Sequence, residues 1–169
     1  MNIYLIGFMG SGKSTAGKKL ASKLKRTFCD LDKLIEERTG LAIPEIFFSR
    51  GESYFRQQET LALESVASKS GLVVACGGGT PCNERNMEIM KKSGLTIYLE
   101  MTPASLVQRL KKSGTSRPLI AGSEGDDLTE KVNTLLSKRI PSYKKADIVI
   151  NGVNVNIKVI CEQIEAKMA

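Results

Sequence analysis

A glycine-rich segment near the start of the chain, GFMGSGKS at residues 7–14, sharply limits the folds available to it. The segment follows the apolar run IYLI and fits the pattern G-x-x-x-x-G-K-[ST], with Gly7, Gly12, Lys13 and Ser14 at the defining positions. Glycines let successive backbone amides point into one concave turn, and the helix that begins near Lys13 adds its positive end. The segment therefore predicts a strand, a phosphate-binding loop and a helix in direct succession.

The predicted loop also carries side chains that suit a nucleotide. Lys13 can reach the β- and γ-phosphates, and the Ser14 hydroxyl can bind Mg²⁺. The nucleotide-binding residues expected in this segment are Gly10, Ser11, Gly12, Lys13, Ser14 and Thr15. An ordinary glycine turn ahead of a helix is the alternative, but the spacing and the position after a strand both favour phosphate binding.

Short apolar runs alternate with longer helical patterns along the rest of the chain, which is typical of a parallel sheet covered by helices. The predicted strands are residues 3–6, 27–31, 72–76, 96–100 and 147–150. The predicted helices are residues 13–25, 33–39, 52–69, 83–93, 103–112, 126–140 and 155–168. A length of 169 residues without a linker predicts one α/β domain over residues 1–169.

Two segments interrupt this alternation. Residues 32–60 place additional helical sequence between the second and third strands. Residues 112–125, KSGTSRPLIAGSEG, are polar and rich in glycine and serine around Arg117 and Pro118. A loop of this length in a compact domain is commonly a functional lid, and the rigid proline next to the arginine favours that interpretation, so we predict a mobile lid there.

The charge of the chain favours small anionic ligands over nucleic acid. The formal net charge is +7 and the pI is about 9.3, but the basic residues are scattered, tryptophan is absent and aromatic residues make up only 5% of the chain. Platforms for stacking bases are therefore scarce. No run approaches the roughly 18 apolar residues of a membrane span. The first ten residues do not resemble a secretory signal, so we expect a cytoplasmic protein.

Histidine is absent, and the four cysteines, Cys29, Cys76, Cys82 and Cys161, form no CxxC pair. A structural zinc site is therefore not expected, and the cysteines are expected to be reduced and mostly buried. The lack of histidine also limits the catalytic chemistry, because a general base in this chain must be a carboxylate, a lysine or the substrate itself.

The second predicted strand ends in CDLDK, which contains two carboxylates. Alternate side chains of an extended chain share a face, so we expect Asp30 and Asp32 to point together toward the phosphate loop and Leu31 toward the core. One carboxylate would serve a metal ion, and the other would accept a proton from a substrate hydroxyl. The third strand lacks the aspartate that commonly binds the metal in nucleotide-hydrolysing proteins, which makes Asp30 the candidate. The alternative is that an aspartate caps a helix.

The segment GESYFRQQE places Glu52, Arg56 and Glu59 on one face of a predicted helix. Two interpretations remain open: a solvated ladder of ion pairs, or an arginine held by carboxylates beside aromatic residues as a rigid fork for a ligand carboxylate. The nearby aromatic residues are Phe47, Phe48 and Phe55.

Three consecutive glycines, Gly77, Gly78 and Gly79, follow the third predicted strand. No side chain there would keep a ligand away from the backbone, so this segment predicts close contact between a ligand and the main chain. A simple tight turn, which is the alternative, needs only one or two glycines.

Six segments of the chain, in this order and at this spacing, resemble the shikimate kinase family: GFMGSGKST, DLD, YFRQQE, GGGT, SRPL and KRIPSY. The resemblance extends from Asn2 to about Ile150. It implies the P-loop fold of the nucleoside monophosphate kinases, with a five-stranded parallel sheet, helices on both faces and a mobile lid. It also implies an enzyme that uses ATP and Mg²⁺ to phosphorylate the 3-hydroxyl of shikimate, in the chorismate route to aromatic amino acids. We expect the protein to be a monomer.

On the acceptor side, the resemblance implies roles for several residues. Residues 32–60 become the substrate-binding insertion. Asp32 is similar to the family's aspartate that binds the substrate hydroxyls, and it is the candidate base. Arg56 and Arg139 resemble the two arginines that bind the shikimate carboxylate. The glycines at 77–79 would present backbone amides to the ring.

On the donor side, Asp30 is similar to the aspartate that holds Mg²⁺ through water, together with Ser14. Arg117 resembles the lid arginine that closes over the phosphates, where it would act with Lys13 on the transferred group. Arg109 resembles the arginine that packs against adenine. The segment NGVN, which would form the adenine loop, departs from the expected pattern.

Two other functions compete with this interpretation. A related small-molecule kinase, such as one for gluconate, would share the phosphate loop and the lid, but the other motifs would then lack a common purpose. A nucleotide-dependent binding protein or switch would need no acceptor, and its arginines would be surface ion pairs.

Overall fold

The computed structural model describes residues 1–114 and 117–169 of the chain. Within these residues, five strands form one parallel sheet in the order β2-β3-β1-β4-β5. The strands are β1 (Asn2–Ile6), β2 (Thr27–Asp30), β3 (Leu72–Ala75), β4 (Gly94–Glu100) and β5 (Ile148–Asn151). The α-helices are α1 (Lys13–Leu24), α2 (Leu31–Thr39), α3 (Ile43–Arg50), α4 (Glu52–Ala67), α5 (Glu84–Ser93), α6 (Pro103–Lys112), α7 (Gly125–Tyr143) and α8 (Ile157–Met168). Single-turn 3₁₀ helices occupy Thr80–Cys82 and Pro118–Ile120.

The central strand β1 is buried along its whole length because helices cover both faces of the sheet. Its side chains alternate between two apolar clusters. Ile3 and Leu5 pack with α1 and α8, whereas Tyr4 and Ile6 pack with residues of α4, α5, α6 and α7 on the other face. A parallel sheet covered on both faces explains why the run IYLI is apolar throughout rather than alternating with polar residues.

The predicted parallel sheet is confirmed, and the strand boundaries differ from the prediction by at most two residues. The helical sequence between β2 and β3 proves to be three helices, of which α3 was not predicted separately. Gly40 and Gly51, with φ angles of 70° and 85°, follow α2 and α3. These left-handed positions end each helix after two turns or so, because glycine adopts them without steric cost.

Helix α7 continues past its predicted end at residue 140. The extension includes Pro141, which cannot donate a backbone hydrogen bond. The helix nevertheless runs to Tyr143, and the next amide, that of Lys144, donates to the Ile140 carbonyl at 2.9 Å. Because the missing donor lies in the last turn, only one hydrogen bond is lost.

The strand order brings the carboxyl ends of β1, β2 and β3 to one edge of the sheet. Three segments singled out in the sequence therefore meet there: the phosphate-binding loop after β1, Asp30 at the end of β2 and the glycines after β3. In the part of the chain that the structure describes, no helix has both the length and the apolar character needed to cross a membrane.

Candidate active site

The loop between β1 and α1 has the backbone shape that a phosphate site needs. Gly12 precedes α1 with a φ angle of 87°, a left-handed conformation that other residues rarely adopt. Gly7 has a φ angle of 147°, and a Cβ atom there would lie 2.9 Å from the Leu99 carbonyl oxygen. Both glycines of the pattern are therefore required by the backbone, and the amides of the first turn of α1 face the space above the loop.

Lys13 lies within this loop, and its amine donates to the carbonyl oxygens of Gly7 and Phe8, both at 2.8 Å. Burial lowers the pKa of Lys13 to about 8, an effect that Asp32 opposes and Arg117 reinforces. Two neutral carbonyl oxygens thus hold the ammonium group at the phosphate loop. A bound phosphate can take their place, because its negative charge makes it a stronger hydrogen-bond partner.

Asp30 caps a helix, which is one of the alternatives that the sequence left open, and it also contacts the phosphate loop. It caps α2, since Oδ1 accepts from the amides of Asp32 at 3.2 Å and Lys33 at 3.4 Å. Its other oxygen, Oδ2, accepts from the Ser14 hydroxyl at 2.7 Å. The expected arrangement of an extended CDLD segment is therefore wrong beyond Asp30. The cap starts the helix at Leu31, and Asp32 lies in its first turn rather than on a strand.

Asp32 nevertheless faces the phosphate loop from that first turn. Its Oδ1 atom is buried and has no hydrogen-bond partner among the described residues. The pKa of Asp32 is raised to about 6, mainly by burial; Asp30 and Glu59 contribute to this rise, whereas Lys13 and Arg117 oppose it. A carboxylate with a free, buried acceptor atom and a pKa nearer to neutrality has the properties of a general base.

Arg56 forms the predicted pairs on α4, with Nη2 at 3.2 Å from Glu52 and Nη1 at 3.1 Å from Glu59. These ion pairs are not a solvated set on the helix surface, because the Glu59 side chain is only 1% exposed. The ring centres of Phe47 and Phe55 lie 4.8 Å apart beside it. The remaining member of the predicted aromatic group, Phe48, does not join this pair and is 95% exposed.

Arg139 is the most unusual charged residue of the site. It is only 6% exposed, and within residues 1–114 and 117–169 no carboxylate lies within ion-pair distance of it. Its Nη1 atom is buried and lacks a hydrogen-bond partner among these residues, while its guanidinium lies 5.6 Å from the centre of the Phe8 ring. A buried cation without a counter-ion is costly, so this position is suited to an anionic ligand.

The three glycines after β3 make room for these charged side chains. A Cβ atom at Gly79 would collide with the Arg56 guanidinium, and one at Gly78 would lie 2.8 Å from Arg139 Nη1. One at Gly77 would lie 2.9 Å from Glu59 Oε2. The structure thus supplies a reason for three glycines that the sequence did not reveal: each lies against a different charged side chain.

Two adjoining cavities surround these groups. One, of about 460 Å³, reaches Arg56, Glu59 and Arg139; the other, of about 470 Å³, extends over the phosphate loop to Lys13 and Arg109. The residues common to both are Met9, Ser14, Asp30, Asp32, Gly77, Gly78 and Arg117. A third cavity, of about 320 Å³, lies beyond the loop and includes Ser11, Thr15 and Arg109.

The third cavity is bordered by a link between the phosphate loop and the segment before α8, which Arg109 forms. Arg109 Nη2 donates to the carbonyl oxygens of Gly152 at 3.2 Å and Val153 at 3.3 Å. Its guanidinium therefore holds the NGVN segment close to the loop, and the cavity walls beside it come from Val153 and Ile157.

Sequence reasoning did not single out several apolar residues that line the first cavity. These are Ile43 and Pro44 from α3, which lie in the predicted insertion, and Leu119, which lies in the predicted lid. Alternating periodicity carries no information about these positions, because they are ordinary apolar residues whose placement depends on how α3 and the 3₁₀ helix pack on the core.

The sequence pattern described as Shikimate kinase matches residues 9–169, which is nearly the whole chain. The chain belongs to the shikimate kinase family. Among its relatives, the shikimate kinase of Sulfurihydrogenibium sp. is 44% identical over 167 residues, covering 99% of this chain and 97% of that protein. The shikimate kinase family is thus matched from end to end rather than through the phosphate loop alone.

Solved structures of shikimate kinases agree with this assignment. The enzyme from Bacteroides thetaiotaomicron is 37% identical with a TM-score of 0.90, covering 99% of this chain and 98% of that one. The enzyme from Acinetobacter baumannii in complex with shikimate is 36% identical with a TM-score of 0.87, covering 98% and 93%. A gluconokinase from Sinorhizobium meliloti shares the fold with a TM-score of 0.62 at 18% identity, which is a likeness of fold alone. The family match thus decides against the gluconate alternative.

Proposed function

We propose that this member of the shikimate kinase family transfers the γ-phosphoryl group of ATP to the 3-hydroxyl of shikimate where the two adjoining cavities meet. The observation that carries the proposal is the shared wall: Asp32 and Arg117 line both the cavity over the phosphate loop and the cavity that contains the arginine pair. An acceptor in one cavity and a triphosphate in the other would have their reacting atoms next to the same two side chains.

On the acceptor side, the unpaired Arg139 supports binding of a carboxylate, with Arg56 as the second arginine. The guanidinium fork matches a carboxylate in geometry and charge. With the acid group held there, the ring hydroxyls would face the glycines at 77–79 and the free Oδ1 atom of Asp32. Asp32 then accepts a hydrogen bond from the reacting hydroxyl and takes its proton as the new bond forms.

On the donor side, the loop amides at 10–15 and Lys13 would hold the phosphates, and Arg109 would lie beside the adenine. Arg117, whose Nε atom is buried without a hydrogen-bond partner among the described residues, is free to meet a phosphate oxygen. Phosphoryl transfer proceeds through a loose transition state, so alignment and charge neutralisation contribute more than a strong base.

The pair of Ser14 and Asp30 fits Mg²⁺. A hydroxyl and a carboxylate 2.7 Å apart are hard oxygen ligands, and both border the phosphate cavity. The described residues contain no cluster of three acidic, cysteine or histidine side chains, which suits an ion that keeps water and phosphate oxygens as its other ligands. When bound, the ion would neutralise charge on the transferring phosphate.

We also propose that residues 112–125 form the lid of a single kinase domain, residues 1–169, whose substrate-binding insertion is residues 32–60. Thr115 and Ser116 lie outside the described residues. The 3₁₀ helix Pro118–Ile120 packs on α3 and α7 and forms part of the first cavity, which supports a segment that closes over the acceptor. We expect amide hydrogen exchange at residues 117–124 to slow when ADP and shikimate bind together; equal exchange in free and ligated protein would contradict a lid.

The remaining proposals concern the setting of the reaction. We propose a monomer that acts on small molecules in the cytoplasm without nucleic acid or membrane partners. Family membership supports this setting, and all four cysteines are free, which suits a reducing compartment.

The reaction is tested by coupling ADP release to NADH oxidation with shikimate, gluconate and nucleoside monophosphates as acceptors. We expect ADP release to depend on shikimate alone. ADP release with gluconate but not with shikimate would indicate that the protein is a gluconate kinase instead. Binding of ATP that no acceptor alters, without turnover, would indicate a nucleotide switch.

The carboxylate site makes a separate prediction. Arg139→Ala is expected to raise KM for shikimate about 10²-fold, because truncating one partner of a buried charge pair typically costs 2–5 kcal/mol. The same change at Arg56 acts in the same direction. Lys138→Ala, which removes an exposed charge from the preceding residue, serves as the control. Unchanged KM for shikimate in both arginine variants would show that the carboxylate of the substrate binds elsewhere.

A further inference from the structure

A ring of buried polar contacts lies behind the arginine pair and takes no part in the mechanism described so far. Glu59 Oε1 accepts from Arg56, and its other oxygen, Oε2, accepts from the Thr80 hydroxyl at 2.7 Å. Thr80 is fully buried and Glu59 is 1% exposed. Water therefore cannot easily take the place of the Thr80 hydroxyl as a donor to Glu59. Thr80 donates to the oxygen of Glu59 that Arg56 does not contact.

Thr80 is itself fixed from both sides. Its amide donates to the Gly77 carbonyl at 3.1 Å, and its carbonyl accepts from Asn86 Nδ2 at 3.1 Å. Asn86 Oδ1 in turn accepts from the Thr60 hydroxyl at 2.9 Å. The side-chain nitrogen of Asn86 faces the Thr80 carbonyl and its oxygen faces the Thr60 hydroxyl. These two neighbours therefore determine the orientation of the side-chain amide.

These contacts form a closed circuit. It leaves α4 at Glu59, passes through Thr80 in the 3₁₀ helix and Asn86 in α5, and returns to α4 at Thr60, the residue next to Glu59. Among the residues of this circuit, only Glu59 lines the first cavity, where it contacts Arg56.

We propose that Thr80, anchored by Asn86, is a positioning residue for substrate binding: it fixes the Glu59 carboxylate and through it the Arg56 guanidinium that receives the acceptor's carboxylate. The inference rests on the proposed function, since it assumes that Arg56 binds this acid. Thr80 touches no substrate, and its effect is confined to the acceptor side, because Lys13 and the loop amides make no contact with the circuit in the described residues.

The test replaces the hydroxyl by a group of similar size. Thr80→Val is expected to raise KM for shikimate about tenfold or more, since hydrogen bonds to charged groups are among the stronger ones. KM for ATP should stay within about twofold and kcat within about threefold. Thr80→Ser, which keeps the hydroxyl, should restore KM for shikimate. Thr134→Val, at an exposed position of α7, is the matched control.

Arg56→Ala, measured alongside, separates the possible failures. If Arg56→Ala raises KM and Thr80→Val does not, the positioning role is overturned while the proposed function stands. If Arg56→Ala leaves KM unchanged, both are overturned. A lower Tm for Thr80→Val with unchanged KM would indicate a purely structural contact and would also overturn the role. Should the valine variant not fold, Thr80→Ala carries the same expectation.

Discussion

Replacing Lys13 by methionine is expected to lower kcat by about 10³-fold, one of the two largest effects expected for this chain. Methionine keeps the aliphatic length but removes the charge that would meet the transferring phosphoryl group. The change is measured as shikimate-dependent ADP release, with Tm recorded to show that the fold persists. Lys23→Ala, which removes an exposed charge from the same helix, should keep normal turnover.

The pKa of Lys13 gives this prediction a second readout. Because the pKa is lowered to about 8, the amine of the free enzyme loses its proton above that pH. The value of kcat/KM for ATP, which reports the free enzyme, should therefore fall as pH rises through about 8. A profile that stays flat to pH 10, or a methionine variant with normal kcat, would show that Lys13 does not act on the phosphate.

Replacing Asp32 by asparagine is expected to lower kcat by about 10²- to 10⁴-fold while leaving the dissociation constant for ATP nearly unchanged. Asparagine has the same shape but cannot take the hydroxyl proton. Asp127→Asn on the exposed start of α7 is the matched control. A variant that binds ATP poorly yet turns over normally at saturating ATP would place Asp32 on the nucleotide side instead.

The pH profile again distinguishes the role. The pKa of Asp32 is raised to about 6, so the carboxylate is ionised above this pH and protonated below it. A base works only when ionised, and kcat/KM for shikimate should therefore fall as pH drops through about 6. The asparagine variant should lose this acid limb. If the limb persists in the variant, another group titrates there and Asp32 only orients the hydroxyl.

Asp30 and Asp32 both border the cavity over the phosphate loop, as predicted, but not for the reason that the sequence suggested. Alternation along a strand predicted that Asp30 and Asp32 point the same way. In the structure Asp30 begins a helix, and Asp32 reaches the phosphate loop from the first turn of that helix. The extended arrangement also placed Leu31 in the core, where it is fully buried, so the burial of Leu31 does not distinguish the two conformations.

The arginines illustrate a different limit. Arg56 and Glu59 are neighbours on one helix, so their ion pair was predictable from spacing. Three findings depend on contacts between distant elements: Glu59 is buried, Arg139 forms no ion pair with the described residues, and each glycine of 77–79 lies against a charged side chain. No periodicity within one segment encodes such contacts.

What this sequence determined alone is what depends on adjacent residues: the turn of the phosphate loop, the five strands, most helix boundaries and the chemical types available for catalysis. The conformations of glycine, the apolar runs and the lack of histidine are properties of short segments, so they can be read locally. The tertiary structure decided which charges are buried, which are paired and which lie free beside a cavity. The physical reason is that the desolvation of a charged side chain depends on every element that packs around it. The elements around this site are distributed along the chain from β1 to α7.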